Sequence, residues 1–262
     1  MGILNTTPDS FSDGGEFSEL ESAVAHGLEM EAQGAAILDV GGESTRPGAA
    51  EVSVADELER VVPVIRRLAA KKQPETLLSI DTSKAAVAAA AVEAGADIIN
   101  DVTGLLGDVE MLDVAAKCDA GLVVMHMKGT PRTMQAAPEY GDVVGEVQKF
   151  FEQSLARCKA VGIDPLRLCF DPGIGFGKTL KHNLTLLRSL PQLRVGDRPL
   201  LLGVSRKSFI GKLVGSNEIS DRSWGTVALT AHAREAGVEI HRVHEVRANL
   251  EALRMAEAIL WG

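Results

Sequence analysis

The sequence has few cysteines, and they form no metal-binding or disulfide pattern. Its 262 residues include Cys118, Cys158 and Cys169, which lie far apart and contain no C-x-x-C pair. This spacing argues against both a disulfide framework and a structural zinc site. We therefore interpret all three as core or surface thiols in a reducing compartment, and we expect a cytoplasmic protein.

Long apolar runs and excess positive charge are also missing. No stretch approaches the roughly 18 consecutive apolar residues of a membrane helix, and the N-terminus lacks a basic region followed by an apolar one. The sequence therefore predicts neither a membrane nor a secreted protein. With 27 basic and 36 acidic residues the net charge is -9, which disfavours a nucleic-acid partner. The motifs G-x-S-x-G and H-E-x-x-H are absent, so nothing indicates a serine hydrolase or a zinc protease.

Short apolar runs recur along the chain, within a composition typical of globular proteins: 45% hydrophobic and 24% charged. The runs cover 2–4, 35–38, 76–80, 97–99, 122–125, 166–170, 200–204 and 238–243. They are continuous, as in parallel strands covered on both faces. Stretches with helical spacing or composition lie between them, including 20–33, 54–72, 85–94, 143–161 and 224–236. Strand then helix, eight times, predicts an α/β protein with one (β/α)8 barrel (TIM barrel) domain over 1–262; the alternative is a doubly wound open sheet.

Nearly every predicted strand ends in a polar residue that could bind or catalyse. These residues are Asn5, Asp39, Asp81, Asn100 with Asp101, His126, Asp171, Ser205 through Ser208, and Arg242 with His244. Asp and Asn are also ordinary turn residues, so any single position carries little weight. In a parallel barrel, however, all strand C-termini open on one face, where barrel enzymes keep their active sites. We therefore expect these side chains to converge on one mouth.

Three glycine-rich loops follow predicted strands. The loops 5–15 and 39–48 are polar and suit closure over a substrate, with hydroxyls and Arg46 as donors to an anion; a solvated connection is the plainer alternative. The loop 171–179 is neither a P-loop nor a dinucleotide-binding loop, because its glycine spacing fails both fingerprints. It remains a turn whose backbone can come close to a flat ligand.

Cationic residues gather after the last two predicted strands. The segment 205–208 reads Ser-Arg-Lys-Ser, in the region where barrels often bind phosphate. Arg242 and His244, two residues apart, lie on the same side of a strand. Together they predict a cationic pocket for an anionic substrate. His241 and His244 are three residues apart and point to opposite sides, so we do not expect that pair to share a metal ion.

These motifs together resemble one family, dihydropteroate synthase, the folate-pathway enzyme inhibited by sulfonamides. The resemblance covers the whole chain and is carried by GILN at 2–5, TPDSFSDGG at 7–15, DVGGESTRPG at 39–48, IDTSK at 80–84, IND at 99–101, MHM at 125–127, DPG at 171–173, GFGK at 175–178, SRKS at 205–208 and RVH at 242–244. Thr6, where the family more often has Val, and Glu245, where Asp is usual, are departures outside the assigned contacts. The chain starts at the first predicted strand, without the upstream segment usual in the family, so we expect a less protected barrel bottom.

The resemblance implies the reaction as well as the fold. A (β/α)8 barrel would join 6-hydroxymethyl-7,8-dihydropterin diphosphate to p-aminobenzoate with Mg²⁺, giving 7,8-dihydropteroate and pyrophosphate. In the family the carbon–oxygen bond to the diphosphate is thought to break first, leaving a pterin-stabilised cation that the aryl amine captures. Such a step needs the charge of the leaving group neutralised and no protein nucleophile.

The resemblance also implies roles for individual residues. Those of the pterin pocket, which pair with the donors and acceptors of the ring, are Asp81, Asn100, Asp171 and Lys207. Those lining the faces of the ring are Met125 and Phe176. Asn5 would bind the metal and the diphosphate, and the diphosphate-binding pair would be Arg242 and His244. The p-aminobenzoate pocket would comprise Phe11, Thr45, Pro47 and Ser208, and two further catalytic residues on mobile loops would be Asp13 and Arg46.

Two alternatives share this architecture. Pterin-binding domains of corrinoid-dependent methyltransferases have the same strand-end Asp and Asn pattern, but they should lack the motifs at 205–208 and 45–47. A barrel that binds pterin without turnover should have lost Asn5, Lys207, Arg242 or His244, and all four are present.

Members of the family usually form homodimers through late helices, and the apolar faces over 224–236 and 250–260 fit that expectation. The aromatic and proline residues at 11 and 47 predict a sulfonamide-sensitive enzyme.

Overall fold

Strands and helices alternate along the chain. The computed structural model describes residues 1–6, 16–44, 48–130, 134 and 138–262. Strands in these residues are β1 (Gly2–Asn5), β2 (Ile37–Gly41), β3 (Leu77–Asp81), β4 (Ile98–Asp101), β5 (Gly121–Met125), β6 (Leu168–Asp171), β7 (Leu201–Leu202) and β8 (Ile240–His241). Helices are α1 (Glu16–Ala32), α2 (Val54–Lys71), α3 (Ala85–Glu93), α4 (Met111–Ala116), α5 (Val143–Ala160), α6 (Leu180–Arg188), α7 (Ser208–Val214), α8 (Ser223–Glu235) and α9 (Val246–Trp261).

The strands close into a ring. β1 to β6 form one parallel sheet in chain order, and β7 pairs with β8 in parallel. A parallel bridge between Phe170 and Leu200 connects β6 to β7, and another between Gly2 and Val243 connects β8 to β1. At the second junction the Ile3 amide donates to the Val243 carbonyl at 3.0 Å. The fold is therefore the predicted TIM barrel rather than an open sheet.

Local capping explains where several helices begin. The Ser53 hydroxyl accepts from the amide of Asp56 before α2, and the Asp142 carboxylate accepts from that of Val144 before α5. Such side-chain acceptors satisfy amides that have no partner within the helix. Within the described residues, no helix has both the length and the apolar character needed to cross a membrane.

The strand side chains divide between two cores. Leu122, Val124 and Phe170 belong to the large core between the strands and the surrounding helices, whereas their neighbours Val123 and Cys169 form a small separate cluster with Leu201. Because side chains alternate along a strand, the second cluster fills the barrel interior. Residues two positions further along β5 and β6 therefore also face inward, at the C-terminal mouth of the barrel.

Candidate active site

A network of charged and polar groups crosses the mouth of the barrel. Arg242, just after β8, donates from Nε to Asp39 Oδ2 at 2.5 Å and from Nη2 to Asp81 Oδ2 at 2.6 Å. The Asn100 amide donates to the same Asp39 oxygen at 3.1 Å. Asp39 and Asn100 are buried. Four strands, β2, β3, β4 and β8, are thus connected through side chains that point into the barrel.

Burial alters the protonation chemistry of this network. Burial raises the pKa of Asp81 to about 7, although the positive charge of Arg242 opposes the shift. Burial by itself would lower the pKa of Arg242, but the charges of Asp39 and Asp81 raise it above its usual range. A carboxyl group that titrates near neutrality can accept or donate a hydrogen bond to a heterocycle.

A second part of the site lies between β6 and β7. Asp171 Oδ1 accepts from the amide of Gly173 at 2.7 Å, and burial raises the pKa of Asp171 against the opposing charge of Lys207. Lys207 donates from Nζ to the Ile174 carbonyl and lies 4.4 Å from the centre of the Phe176 ring. Burial lowers the pKa of Lys207 to about 8, with Asp171 opposing. A carboxyl, an ammonium and an aromatic face therefore meet where a flat polar ligand could bind.

The loop 172–177, called here the glycine loop, lies directly against the end of β5. Gly173 has φ +63°, and a Cβ built there would lie 2.0 Å from the His126 carbonyl oxygen and 3.2 Å from Met125 Cγ. A Cβ at Gly177, with φ +61°, would lie 2.2 Å from the Lys128 carbonyl oxygen. The loop can occupy this place because glycine has no side chain. Its backbone and the buried Met125 therefore lie side by side at the mouth.

The segment after β7 sends its two cations in different directions. Arg206 has φ +58° and donates from Nε to Glu245 at 2.7 Å, so it does not contribute to the predicted cationic pocket. Lys207 enters the mouth. Ser205 Oγ lies 2.8 Å from His244 Nδ1 and accepts from the His244 amide at 3.1 Å. His244 is thus held at the edge of the site by a main-chain and a side-chain contact.

His126, expected at the mouth, takes a different position. It follows the inward-facing Met125 and is buried beside Phe150, with ring centroids 5.1 Å apart. Its Nδ1 lies 3.0 Å from Lys178 Nζ. Burial lowers the pKa of His126 to about 3, helped by the charge of Lys178. His126 is therefore neutral at physiological pH and contacts the glycine loop through Lys178.

The predicted site residues fall into three groups. Those that the structure brings together at the mouth are Asp81, Asn100, Met125, Asp171, Phe176, Lys207 and Arg242. Those at its edge are Asn5 at the end of β1, Ser208 at the start of α7, and His244. Those outside the described residues are Phe11, Asp13, Thr45, Arg46 and Pro47.

Sequence reasoning gave no role to two residues that the structure places in or next to the site. Asp39 is predicted only to end a strand, but it lies in the middle of β2 and accepts from both Arg242 and Asn100. Lys178 was noted only as part of GFGK, yet it is buried against His126. The position of the Asp39 carboxylate within an otherwise apolar strand could have indicated its role in the site. The contact between Lys178 and His126, which are 52 residues apart, has no local sequence signal.

The residues present fit a magnesium ion that binds together with a phosphorylated ligand. In the described ranges no group of three or more His, Cys, Asp or Glu side chains is placed to hold a metal. Asn5 offers one amide oxygen at the end of β1. Mg²⁺ in proteins usually keeps several waters and takes one or two protein ligands plus substrate phosphates. The single amide oxygen of Asn5 is compatible with that mode.

Comparisons with known proteins identify relatives of this chain. Residues 1–244 match the family described as pterin binding enzyme. A relative from Escherichia coli strain K12, dihydropteroate synthase, is 48% identical over 99% of this chain and 91% of its own length. The structure of a Xanthomonas albilineans dihydropteroate synthase with 4-aminobenzoic acid has a TM-score of 0.93 and 46% identity, covering 100% of this chain and 93% of the other. A Yersinia pestis dihydropteroate synthase with a sulfonamide drug has a TM-score of 0.92 and 46% identity, covering 100% and 94%.

Proposed function

The chain belongs to the dihydropteroate synthase family of pterin-binding enzymes, and from this membership we propose that it is a transferase of folate biosynthesis. It condenses 6-hydroxymethyl-7,8-dihydropterin diphosphate with p-aminobenzoate to give 7,8-dihydropteroate and pyrophosphate, and it is a target of sulfonamides. The arrangement of Asp81, Asn100, Asp171 and Lys207 around the mouth supports this function most strongly, because buried carboxyls, an amide and an ammonium complement the edge of a pterin.

The pterin pocket binds by hydrogen bonding and by contact with the ring faces. The carboxyl oxygens of Asp81 and Asp171 accept N–H groups of the ring, which gives geometric specificity in a buried site. Lys207 donates to a ring acceptor. Phe176 and Met125 cover the two faces of the ring. Preorganised carboxylates next to the ring also stabilise positive charge that develops on it when the diphosphate leaves.

Release of the diphosphate needs positive charge next to the leaving group. Arg242 uses Nε and Nη2 for the two carboxylates, and these contacts fix the guanidinium so that Nη1 can donate to the diphosphate. His244, held by Ser205, donates from its imidazole to the diphosphate. Asn5 would hold Mg²⁺ together with the diphosphate, and the ion would reduce the negative charge of the leaving group. The aryl amine then attacks the pterin methylene carbon and loses a proton.

The aryl-amine side is assigned from the family resemblance. The residues proposed to hold p-aminobenzoate, and to be occupied by sulfonamides, are Phe11, Thr45, Pro47 and Ser208. The residues proposed to act during turnover are Asp13 and Arg46. Substitution of the aromatic residue at 11 or the proline at 47 should change sulfonamide inhibition more than pterin binding, because neither is assigned to the pterin pocket.

Product formation tests the proposed function directly. The purified protein is incubated with the pterin diphosphate, p-aminobenzoate and Mg²⁺, and 7,8-dihydropteroate is measured by liquid chromatography with mass spectrometry. The parent protein should form product, and Lys207→Ala should lose most of the activity. Lys212→Ala, which removes an exposed lysine from α7, is the matched control and should retain activity. A parent protein that binds the pterin but forms no dihydropteroate would contradict the proposal.

We also propose that the enzyme is a homodimer, with α8 and α9 as the interface. Trp224 on α8 is 79% exposed, and Met255, Ile259 and Trp261 on α9 are 64%, 76% and 64% exposed. Large exposed apolar patches mark interaction sites in soluble proteins. Sedimentation should give twice the mass of 27.8 kDa, and Ile259→Glu should give the monomer. A monomeric parent protein at micromolar concentration would contradict the dimer.

The compartment proposed for this reaction is the cytoplasm. Cys118, Cys158 and Cys169 are all free thiols in the structure, which suits a reducing environment. Burial raises the pKa of the Cys158 thiol, so this cysteine is unreactive. Fractionation of cells that produce the protein should recover the activity with cytoplasmic marker enzymes, and recovery elsewhere would contradict the assignment.

A further inference from the structure

Lys178, which follows the glycine loop, is a buried lysine whose hydrogen bonds go to uncharged atoms. Its side chain is almost completely buried. Its Nζ lies 3.0 Å from His126 Nδ1, 3.2 Å from the His126 carbonyl oxygen and 3.0 Å from the Phe176 carbonyl oxygen. An ammonium group has three N–H donors, and with His126 in the tautomer protonated at Nε2 each of them has an acceptor. Two of the acceptors lie just after β5 and the third lies in the glycine loop.

Burial of this amine is energetically unfavourable. A buried charge costs free energy unless it is paired, and burial lowers the pKa of Lys178 to about 7, against the opposing charge of Asp171. His126 remains neutral because burial and the charge of Lys178 lower its pKa. Through these hydrogen bonds the Lys178 amine connects His126, which follows β5, to Phe176 in the glycine loop. No β-ladder joins the described residues of this loop to β5.

The glycine loop in turn contacts the residue that we assign to the pterin. Lys207 donates to the carbonyl of Ile174 and lies over the ring of Phe176. On its other side the loop is held by α6, where Asn183 Oδ1 accepts from the Gly175 amide at 2.8 Å. A shift of the loop away from β5 would therefore move both the acceptor and the aromatic ring that orient Lys207.

We propose that Lys178 is a positioning residue for pterin binding, which acts by fixing the glycine loop against β5 so that Ile174 and Phe176 orient the Lys207 ammonium. This inference rests on the proposed function, because it assigns Lys207 to the pterin. Lys178 itself contacts no substrate. Its effect on binding is transmitted through the loop.

A double-mutant cycle separates positioning from a general contribution to stability. Binding of 6-hydroxymethyl-7,8-dihydropterin diphosphate with Mg²⁺ is measured by calorimetry for the parent protein, Lys178→Met, Lys207→Ala and the double variant. Coupled residues give non-additive effects, whereas independent ones add. Lys178→Met should weaken binding by about tenfold or more, a difference of about 1.4 kcal/mol or more. In the Lys207→Ala background the same change should weaken binding less than about threefold.

Two further measurements make the outcome specific. Lys181→Met removes an exposed lysine three residues later in the chain and should bind pterin like the parent protein. The KM for p-aminobenzoate should stay within about twofold of the parent value in Lys178→Met, because none of the residues proposed to hold the aryl amine belongs to the glycine loop. If Lys178→Met does not fold, His126→Leu removes one of the three acceptors and should weaken pterin binding in the same direction, again only when Lys207 is present.

The outcomes distinguish this inference from the proposed function. Equal losses from Lys178→Met in the two backgrounds, or unchanged binding in a folded Lys178→Met protein, would overturn the positioning role and leave the proposed function intact. A parent protein that does not bind the pterin diphosphate would overturn the proposed function itself.

Discussion

Gly173→Ala tests whether the glycine loop lies against β5 as the structure describes. Alanine in the left-handed conformation costs roughly 1–2 kcal/mol, and Gly173 has φ +63°. Its Cβ would also lie 2.0 Å from the His126 carbonyl oxygen, so the loop or the end of β5 must move. Overpacking of this kind costs about 1–3 kcal/mol. Together the two effects should lower the free energy of unfolding by about 2–5 kcal/mol.

A second glycine provides the matched control. Gly162, after α5, has φ +83° and no heavy atom within 4 Å of an added Cβ. Gly162→Ala should therefore cost only the conformational part, about 1–2 kcal/mol. The difference between the two variants, about 1–3 kcal/mol, measures the contact with β5 alone.

Urea denaturation followed by circular dichroism gives the two unfolding free energies, and calorimetry gives pterin affinity. Gly173→Ala should bind the pterin diphosphate about tenfold more weakly, a loss of about 1.4 kcal/mol, because the displaced loop no longer orients Lys207. Gly162→Ala should bind like the parent protein. Equal stability of the two variants, together with parental pterin affinity of Gly173→Ala, would refute the described position of the loop.

Three further predictions concern other parts of the barrel. Lys84 lies 2.5 Å from an oxygen of the fully buried Glu57, so Lys84→Met should lower the free energy of unfolding by about 3–5 kcal/mol. Adding Glu57→Gln should restore most of this loss. Urea midpoints that show no restoration would contradict a stabilising ion pair between Lys84 and Glu57. Burial raises the pKa of Asp81 from 3.8 to about 7. Between these two pH values the folded parent protein binds a proton that the unfolded chain has lost, so the stability of the parent protein falls as pH rises from 3.8 to about 7. Asp81→Asn should lack this fall, so its stability relative to the parent protein should increase from pH 4.5 to 7.5 in urea titrations, and a decrease would contradict the shift. Ser205→Ala removes the hydroxyl 2.8 Å from His244 Nδ1 and should reduce kcat/KM about three- to tenfold, the effect of one hydrogen bond; unchanged kinetics would argue against orientation of His244 by this serine.

The order of strands and helices could be predicted because each strand carries its own local signal. Continuous apolar runs ending in a polar residue placed the ends of β3 and β6 at the observed residues, Asp81 and Asp171, and the end of β5 one residue beyond the observed Met125. The helices α4, α6 and α7 have only 6, 9 and 7 residues. Such short segments span two turns or so, which is too little for helical periodicity to be distinctive.

Contacts between distant parts of the chain could not be predicted in the same way. Arg242 was expected to serve an anion, and the structure shows that it also joins Asp39 and Asp81. Arg206 was expected in the same cationic pocket as Lys207, but its left-handed backbone directs it to Glu245. Both outcomes depend on neighbours from distant parts of the chain, and no local pattern in the sequence specifies them.

The dependence of pyrophosphate release on p-aminobenzoate tests the central claim most directly. The protein is mixed with the pterin diphosphate and Mg²⁺, with or without the aryl amine, and pyrophosphate is measured beside 7,8-dihydropteroate. The account predicts release that requires the aryl amine, matches dihydropteroate in amount, and is largely lost in Lys207→Ala and His244→Ala. Pterin binding without any release, or release at the same rate without the aryl amine, would contradict it.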